Sequence, residues 1–135
     1  MGIKSSARAI SDLKAHLVLV SKYRKKVFTS EMLTTIEAVM DKNLEKNGCE
    51  LIEFNGELDH VHLLFQYLPQ HQLSKLVNAM KTATSRVLSK QFESELAHVY
   101  WGKKVVWSGS YYVSSCGGVT VERLKEYIEE QQRLG

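Results

Sequence analysis

The sequence predicts an α+β fold with one antiparallel sheet, and three observations carry that prediction. Short β-rich runs are bounded by turn residues, two long segments repeat apolar residues at helical spacing, and the elements follow one another as β-α-β-β-α-β. With 135 residues, 44% of them hydrophobic, and no long polar tract, the chain is expected to form one domain over residues 1–135 with its own core.

The first strand is "LKAHLVLV" (13–20), apolar on both faces as a central strand should be. From Ser30 to Asn47, Met32, Leu33, Ile36, Val39, Met40 and Leu44 recur at helical spacing, with Thr29 or Ser30 as N-cap and Gly48 as stop. "CELIEF" (49–54) is the second strand, and Asn55-Gly56 predicts a tight hairpin into the third, "LDHVHLLFQY" (58–67), which Pro69 ends. Leu73, Leu76, Val77, Met80, Val87 and Leu88 mark a second helix over 73–92. An irregular stretch with two tryptophans precedes a fourth strand, "SYYVSS" (110–115). Gly117-Gly118 breaks it, and Thr120 caps a final helix, "TVERLKEYIEEQQRLG". The sum is a ferredoxin-like, RRM-like βαββαβ sandwich with a C-terminal helix, its helices on one sheet face and the other face open for binding.

Composition narrows the function. Cys49 and Cys116 stand far apart without metal-ligand or disulfide-framework spacing, which suits a reducing compartment. The apolar runs are strand-sized and the N-terminus lacks the apolar core of a signal sequence, so neither a membrane span nor export is expected, and the chain is read as cytoplasmic. A formal net charge of +3 permits a nucleic-acid partner. Its distribution suggests one: "SKYRKKVF" groups Lys22, Arg24, Lys25 and Lys26 around Tyr23, and "WGKKVVW" sets Lys103 and Lys104 between Trp101 and Trp107. Cations for phosphates beside aromatics for bases is a single-strand grip, with Lys81 and Arg86 of the second helix as further phosphate contacts.

The third strand carries the chemistry. Its pleat sends Asp59, Val61, Leu63, Phe65 and Tyr67 to one face and Leu58, His60, His62, Leu64 and Gln66 to the other. Positions i and i+2 lie about 6.5–7 Å apart, so two rings there can converge on one ion at about 2.0–2.1 Å each. A metal centre needs a further donor. His16 neighbours the pair if the first strand pairs with the third, although it also suits a core role, whereas His71 and His98 fall in loop-like stretches. The final helix offers another arrangement: Tyr127 and Gln131 stack one turn apart on the edge of an apolar stripe of Val121, Leu124 and Ile128. Together they would supply a phenol nucleophile and an amide oxygen.

The order "DHVHLL" on a strand, "KTATSRVL" on a helix, a Trp-rich loop, "SCGG" and "YIEEQ" resembles the single-tyrosine HUH transposases (TnpA-like) of insertion sequences that move as single-stranded DNA. "SKYRKKVF" is similar to the basic segment after that family's first strand, and the resemblance runs from about Leu13 to Gln132. It implies that His60 and His62 are the HUH histidines, Tyr127 the catalytic tyrosine and Gln131 the helix residue that helps hold the metal, Mg²⁺ or Mn²⁺. It further implies cleavage and rejoining of hairpin-bearing single-stranded DNA through a 5′-phosphotyrosine, by a homodimer in which the helix of one subunit can complete the site of the other.

Four other readings compete. A replication or mobilisation nickase uses the same metal and tyrosine, usually within a larger protein. A domesticated HUH endonuclease would act on repeated chromosomal hairpins. A non-catalytic RRM-like module would carry paired aromatics on its central strands, and no such motif is present. A metal hydrolase would want several carboxylates, whereas the pleat puts Asp59, the nearest, on the face opposite the histidines.

Overall fold

The computed structural model describes residues 4–6, 9–11, 13–115, 126 and 128–130. Four strands form the main sheet: β3 (Leu13–Ser21), β4 (Glu50–Gly56), β5 (His60–Tyr67) and β6 (Trp107–Ser115), in the order β4-β5-β3-β6 with every pair antiparallel. This is the ferredoxin-like arrangement expected from the sequence. A small separate hairpin, β1 (Lys4–Ser6) with β2 (Ala9–Ser11), precedes it and was not anticipated.

Helices α1 (Ser30–Lys46) and α2 (Leu73–Gln91) fall where the apolar period puts them. Thr29 caps α1 by accepting from the Met32 amide at 3.2 Å. The helix ends in a Schellman arrangement: the Cys49 amide bonds the Leu44 carbonyl and the Gly48 amide that of Glu45, with Gly48 at φ 73 supplying the left-handed turn. A third helix, α3 (Glu93–Tyr100), occupies part of the stretch expected to be irregular, burying Leu96 and Tyr100 one turn apart. β6 begins at Trp107 rather than Ser110.

The core lies between sheet and helices. Leu17 and Leu19 of β3 and Val61, Leu63 and Phe65 of β5 meet Met32, Ile36, Met40 and Leu44 of α1 and Val77, Met80 and Leu88 of α2, all fully buried. Cys49 is buried in the same cluster, and Cys116 lies outside the described residues. Alternation along β3 sends His16, Val18 and Val20 to the opposite face. Val18 and Val20 are nonetheless almost fully buried, covered there by Tyr112 and by Ile128 of the terminal segment.

The β4–β5 connection departs from the predicted hairpin. β4 runs on through Asn55 and Gly56, and the chain turns two residues later at Leu58 and Asp59, closed by the Glu57 amide on the His60 carbonyl at 2.8 Å. Gly56 answers a packing need instead, since a Cβ there would sit 2.5 Å from Leu33 Cδ2 of α1. The turn is held from outside by two backbone bonds of 2.9 Å, from the Ser21 amide to the Asp59 carbonyl and from the Phe28 amide to the Leu58 carbonyl. No helix among the described residues is long and apolar enough to cross a membrane.

Candidate active site

The alternation along β5 produces the expected pair: Val61 and Leu63 are buried in the core, and His60 and His62 stand half-buried on the open face. In register across β3 lie Val20 opposite His60 and Val18 opposite His62. Ile128, which packs on those two valines, therefore lies one strand away from both imidazoles, so the terminal segment and the histidines share a face of the sheet. Residues 126 and 128–130 are helical. Tyr127 and Gln131, with Val121 and Leu124, lie outside the described residues.

Each histidine is oriented by a neighbour. His60 Nδ1 is 2.9 Å from Asp59 Oδ1, which leaves its Nε2 to face a ligand; a carboxylate behind an imidazole fixes the ring and raises its basicity as a donor. The expectation that Asp59 points to the opposite face is therefore wrong. β5 starts at His60, so Asp59 belongs to the turn rather than the pleat, and its side chain reaches back to the histidine. Burial pushes the Asp59 carboxyl up, but hydrogen bonds and charge from His60 and Arg24 outweigh it and hold the group below the ordinary carboxylate range.

His62 Nε2 is 3.1 Å from His16 Nδ1, with the rings stacked at 5.4 Å. Burial, then the neighbouring His16, with Glu53 opposing and His60 adding, holds the His62 imidazole below its ordinary value. That favours the neutral form a metal requires. His16 is thus the one remaining histidine that joins the pair. His71 bonds the Asn47 carbonyl at 2.8 Å and His98 is exposed on α3. Among the described residues no three His, Cys, Asp or Glu side chains gather to hold an ion by themselves. Two imidazoles with a carboxylate behind one of them suit a divalent ion whose remaining ligands come from elsewhere.

The basic segment behaves differently from a solvated phosphate grip. Lys22, Tyr23 and Arg24 form a 3₁₀ turn in which Tyr23 and Arg24 adopt left-handed backbone, φ 59 and φ 54. That geometry turns Arg24 inward: its side chain is nine-tenths buried, donating from Nη2 to Asp59 Oδ2 and from Nη1 to the Ile128 carbonyl at 3.2 Å. Arg24 is therefore not placed as an exposed phosphate contact. Lys25 and Lys26 are exposed, Lys22 is half-buried with its ammonium 5.2 Å from the Tyr23 ring, and Lys25 lies 5.5 Å from the ring of Trp101. Tyr23 and Trp101 are 53% and 72% exposed, so each keeps much of its ring in solvent beside the neighbouring lysine. Trp107, the third expected stacking residue, is buried against Phe28 and donates from Nε1 to Thr84 Oγ1 at 2.8 Å, so it belongs to the core.

On the helical side, Lys81, Arg86, Lys90 and Lys104 line a groove of about 840 Å³ between α2 and the start of β6. Lys81 donates to the Ser108 carbonyl, and burial, then the nearby Lys22 charge, lowers its pKa. Lys103 is exposed beside this groove's Lys104 in sequence.

Comparison with solved structures places this fold among transposases. It superposes on a transposase crystal structure from Deinococcus radiodurans with a TM-score of 0.83 at 30% identity, covering 95% of this chain and 97% of the other. A REP-associated tyrosine transposase bound to a REP hairpin shares the fold at 12% identity and a TM-score of 0.51, covering 94% of this chain and 67% of that one. A family model described as "Transposase IS200 like" matches residues 9–131, and the chain belongs to that family. Its relatives include the ISDra2 transposase TnpA of Deinococcus radiodurans, 29% identical over 96% of this chain and 91% of that protein. The transposase for insertion sequence element IS200 of Salmonella typhimurium is 28% identical over 95% and 82%. The protein is thus an IS200-type transposase, a DNA-processing enzyme.

Proposed function

We propose that this transposase cleaves and rejoins single-stranded DNA at hairpin-marked ends by a metal-assisted transesterification through Tyr127. The observation that carries the reading is the packing of Ile128 on Val18 and Val20, because Tyr127 is the residue before Ile128 and those valines pair with His62 and His60. His60 and His62 would hold a divalent ion, Mg²⁺ or Mn²⁺, with Gln131 as the helix-borne oxygen donor. When bound, such an ion polarises the scissile phosphate and neutralises charge that develops on it.

The chain's own groups do the rest. Asp59 would fix the His60 ring, and burial favours the neutral form of His62. Tyr127 Oη attacks the phosphorus, forming a Tyr–O–P bond as the P–O3′ bond breaks, so the products are a 5′-phosphotyrosine and a free 3′-hydroxyl that takes up the proton. One phosphoester replaces another, so rejoining requires no nucleotide cofactor. Tyr23 and Trp101 would stack on unpaired bases, and Lys22, Lys25, Lys26, Lys81, Arg86, Lys103 and Lys104 would meet phosphates. A homodimer is the proposed active unit. A non-catalytic RRM-like module would present aromatics where this open face presents imidazoles.

The test is incubation with hairpin-bearing single strands and Mg²⁺ or Mn²⁺, followed by denaturing gel analysis. A detergent-stable protein–DNA adduct is expected from the wild type and none from Tyr127→Phe, which should still bind DNA. Undiminished adduct from that variant would remove Tyr127 as nucleophile.

A further inference from the structure

We infer that Arg24 is a positioning residue that couples docking of the terminal helix to the orientation of His60. Its guanidinium spans two elements at once: Nη1 donates to the Ile128 carbonyl, Nη2 to Asp59 Oδ2, and Asp59 Oδ1 in turn holds His60 Nδ1. A continuous path of three polar contacts therefore runs from the backbone of the helix to one imidazole of the site. Arginine is the side chain suited to this task, because its planar fork presents several N–H donors at fixed angles while a lysine ammonium is a single point of charge.

The backbone beneath Arg24 is built for that reach. Two consecutive non-glycine residues, Tyr23 and Arg24, take positive φ, each costing on the order of 1 kcal/mol or more. Such a conformation persists only when its surroundings determine it, and here they do. The Ser21 hydroxyl donates to the Lys25 carbonyl at 2.6 Å, the Lys22 amide to the Val106 carbonyl at 2.8 Å, and the Tyr100 hydroxyl to the Lys22 carbonyl at 2.9 Å. These bonds clamp the turn on both sides of Arg24. A basic residue destined only for solvent and phosphate would need no such frame.

The inference rests on the proposed function, since it assigns Arg24 to that same site, and the experiment separates the two. Arg24→Lys and Arg24→Ala are compared with the wild type by hydrogen exchange of the amides of residues 126–130, by Mn²⁺ titration without DNA, and by single-turnover adduct formation at saturating strand. Arg24→Lys keeps a cation beside Asp59 but cannot span to Ile128, so it should fold even if the alanine variant does not. The expected result is at least tenfold faster exchange at 126–130 in Arg24→Lys. Mn²⁺ affinity or saturated adduct rate should fall roughly 10–100-fold, with DNA affinity within about twofold. Weakened DNA binding, a salt slope reduced by about one and unchanged exchange would make Arg24 a phosphate contact and overturn the inference. A lower Tm with exchange, Mn²⁺ affinity and rate unchanged would overturn it too. If the wild type forms no adduct, the proposed chemistry fails, while the exchange and Mn²⁺ measurements still decide the role of Arg24.

Discussion

Asp59 and His60 are neighbours in sequence yet obey different geometries: the histidine is the first residue of a pleated strand, and the aspartate, one residue earlier, closes a turn and folds back to within 2.9 Å of the imidazole. The contact is local and the consequence is not, since it decides which ring nitrogen of His60 faces the open side of the sheet. Asp59→Asn should keep a hydrogen-bond acceptor near His60 while losing the charge. Mn²⁺ affinity, read by isothermal titration, is expected to drop roughly 10–100-fold. An unchanged affinity would reduce Asp59 to a structural partner of Arg24.

His60→Ala and His62→Ala should each abolish metal-dependent cleavage, by about two orders of magnitude or more, and remain folded. Both side chains are only half-buried and stand on the face opposite the apolar core positions of β5, which are Val61, Leu63 and Phe65. Leu63→Ala is the control on the other face, expected to cost about 2–5 kcal/mol in urea unfolding. Unfolding of either histidine variant would instead assign the pair a structural role.

The two tryptophans should separate cleanly. Trp101→Ala is expected to leave stability within about 0.5 kcal/mol and to weaken single-strand binding by about 1–3 kcal/mol, measured by fluorescence anisotropy. Thr84→Val strands the buried Trp107 N–H and should cost about 1–3 kcal/mol of stability with DNA affinity unchanged.

Tyr100 sets an alkaline dependence. Burial, only partly offset by hydrogen bonding with Ser21 and the Lys22 backbone, pushes its phenol up to about 12, above the ordinary value near 10. The folded state therefore holds this proton where the unfolded state has released it, so the contribution is complete below about pH 10 and is lost as pH rises toward 12. Tyr100→Phe should be about 0.5–1.5 kcal/mol less stable at neutral pH, and the gap to wild type should narrow above pH 10. A gap independent of pH would contradict the assignment.

Gly56→Ala brings a Cβ to 2.5 Å from Leu33 Cδ2, the tip of a half-buried side chain that must turn aside, and should cost about 0.5–1.5 kcal/mol. Adding Leu33→Ala should recover part of that loss, a non-additivity that a purely conformational glycine would not show.

Periodicity made the long elements legible. The apolar repeat gives α1 and α2 almost to the residue, and period-two alternation assigns Val61 and Leu63 inward and His60 and His62 outward. What composition does not carry is local backbone geometry. Arg24 reads as one more cation of a basic run, and only the left-handed turn at Tyr23 and Arg24 sends it inward. Asn55-Gly56 reads as a turn, but close packing on Leu33 claimed the glycine for the strand end. α3 fully buries just Leu96 and Tyr100, with Val99 packed at the core's edge, too few positions for a period to stand out. His16 reads as one of three candidate donors beside the pair, and cross-strand register rather than its own neighbours in sequence brings it to His62.

Along the first half of β5 the pleat divides labour by parity, with Val61, Leu63 and Phe65 anchoring the fold and His60 and His62 turned the other way. A heritable change at His60 or His62 would silence the proposed chemistry while the scaffold and its basic groove persist. Descendants of such a domain could thus retire from cutting and survive as plain DNA holders, a route from mobile element to host servant that needs no new architecture.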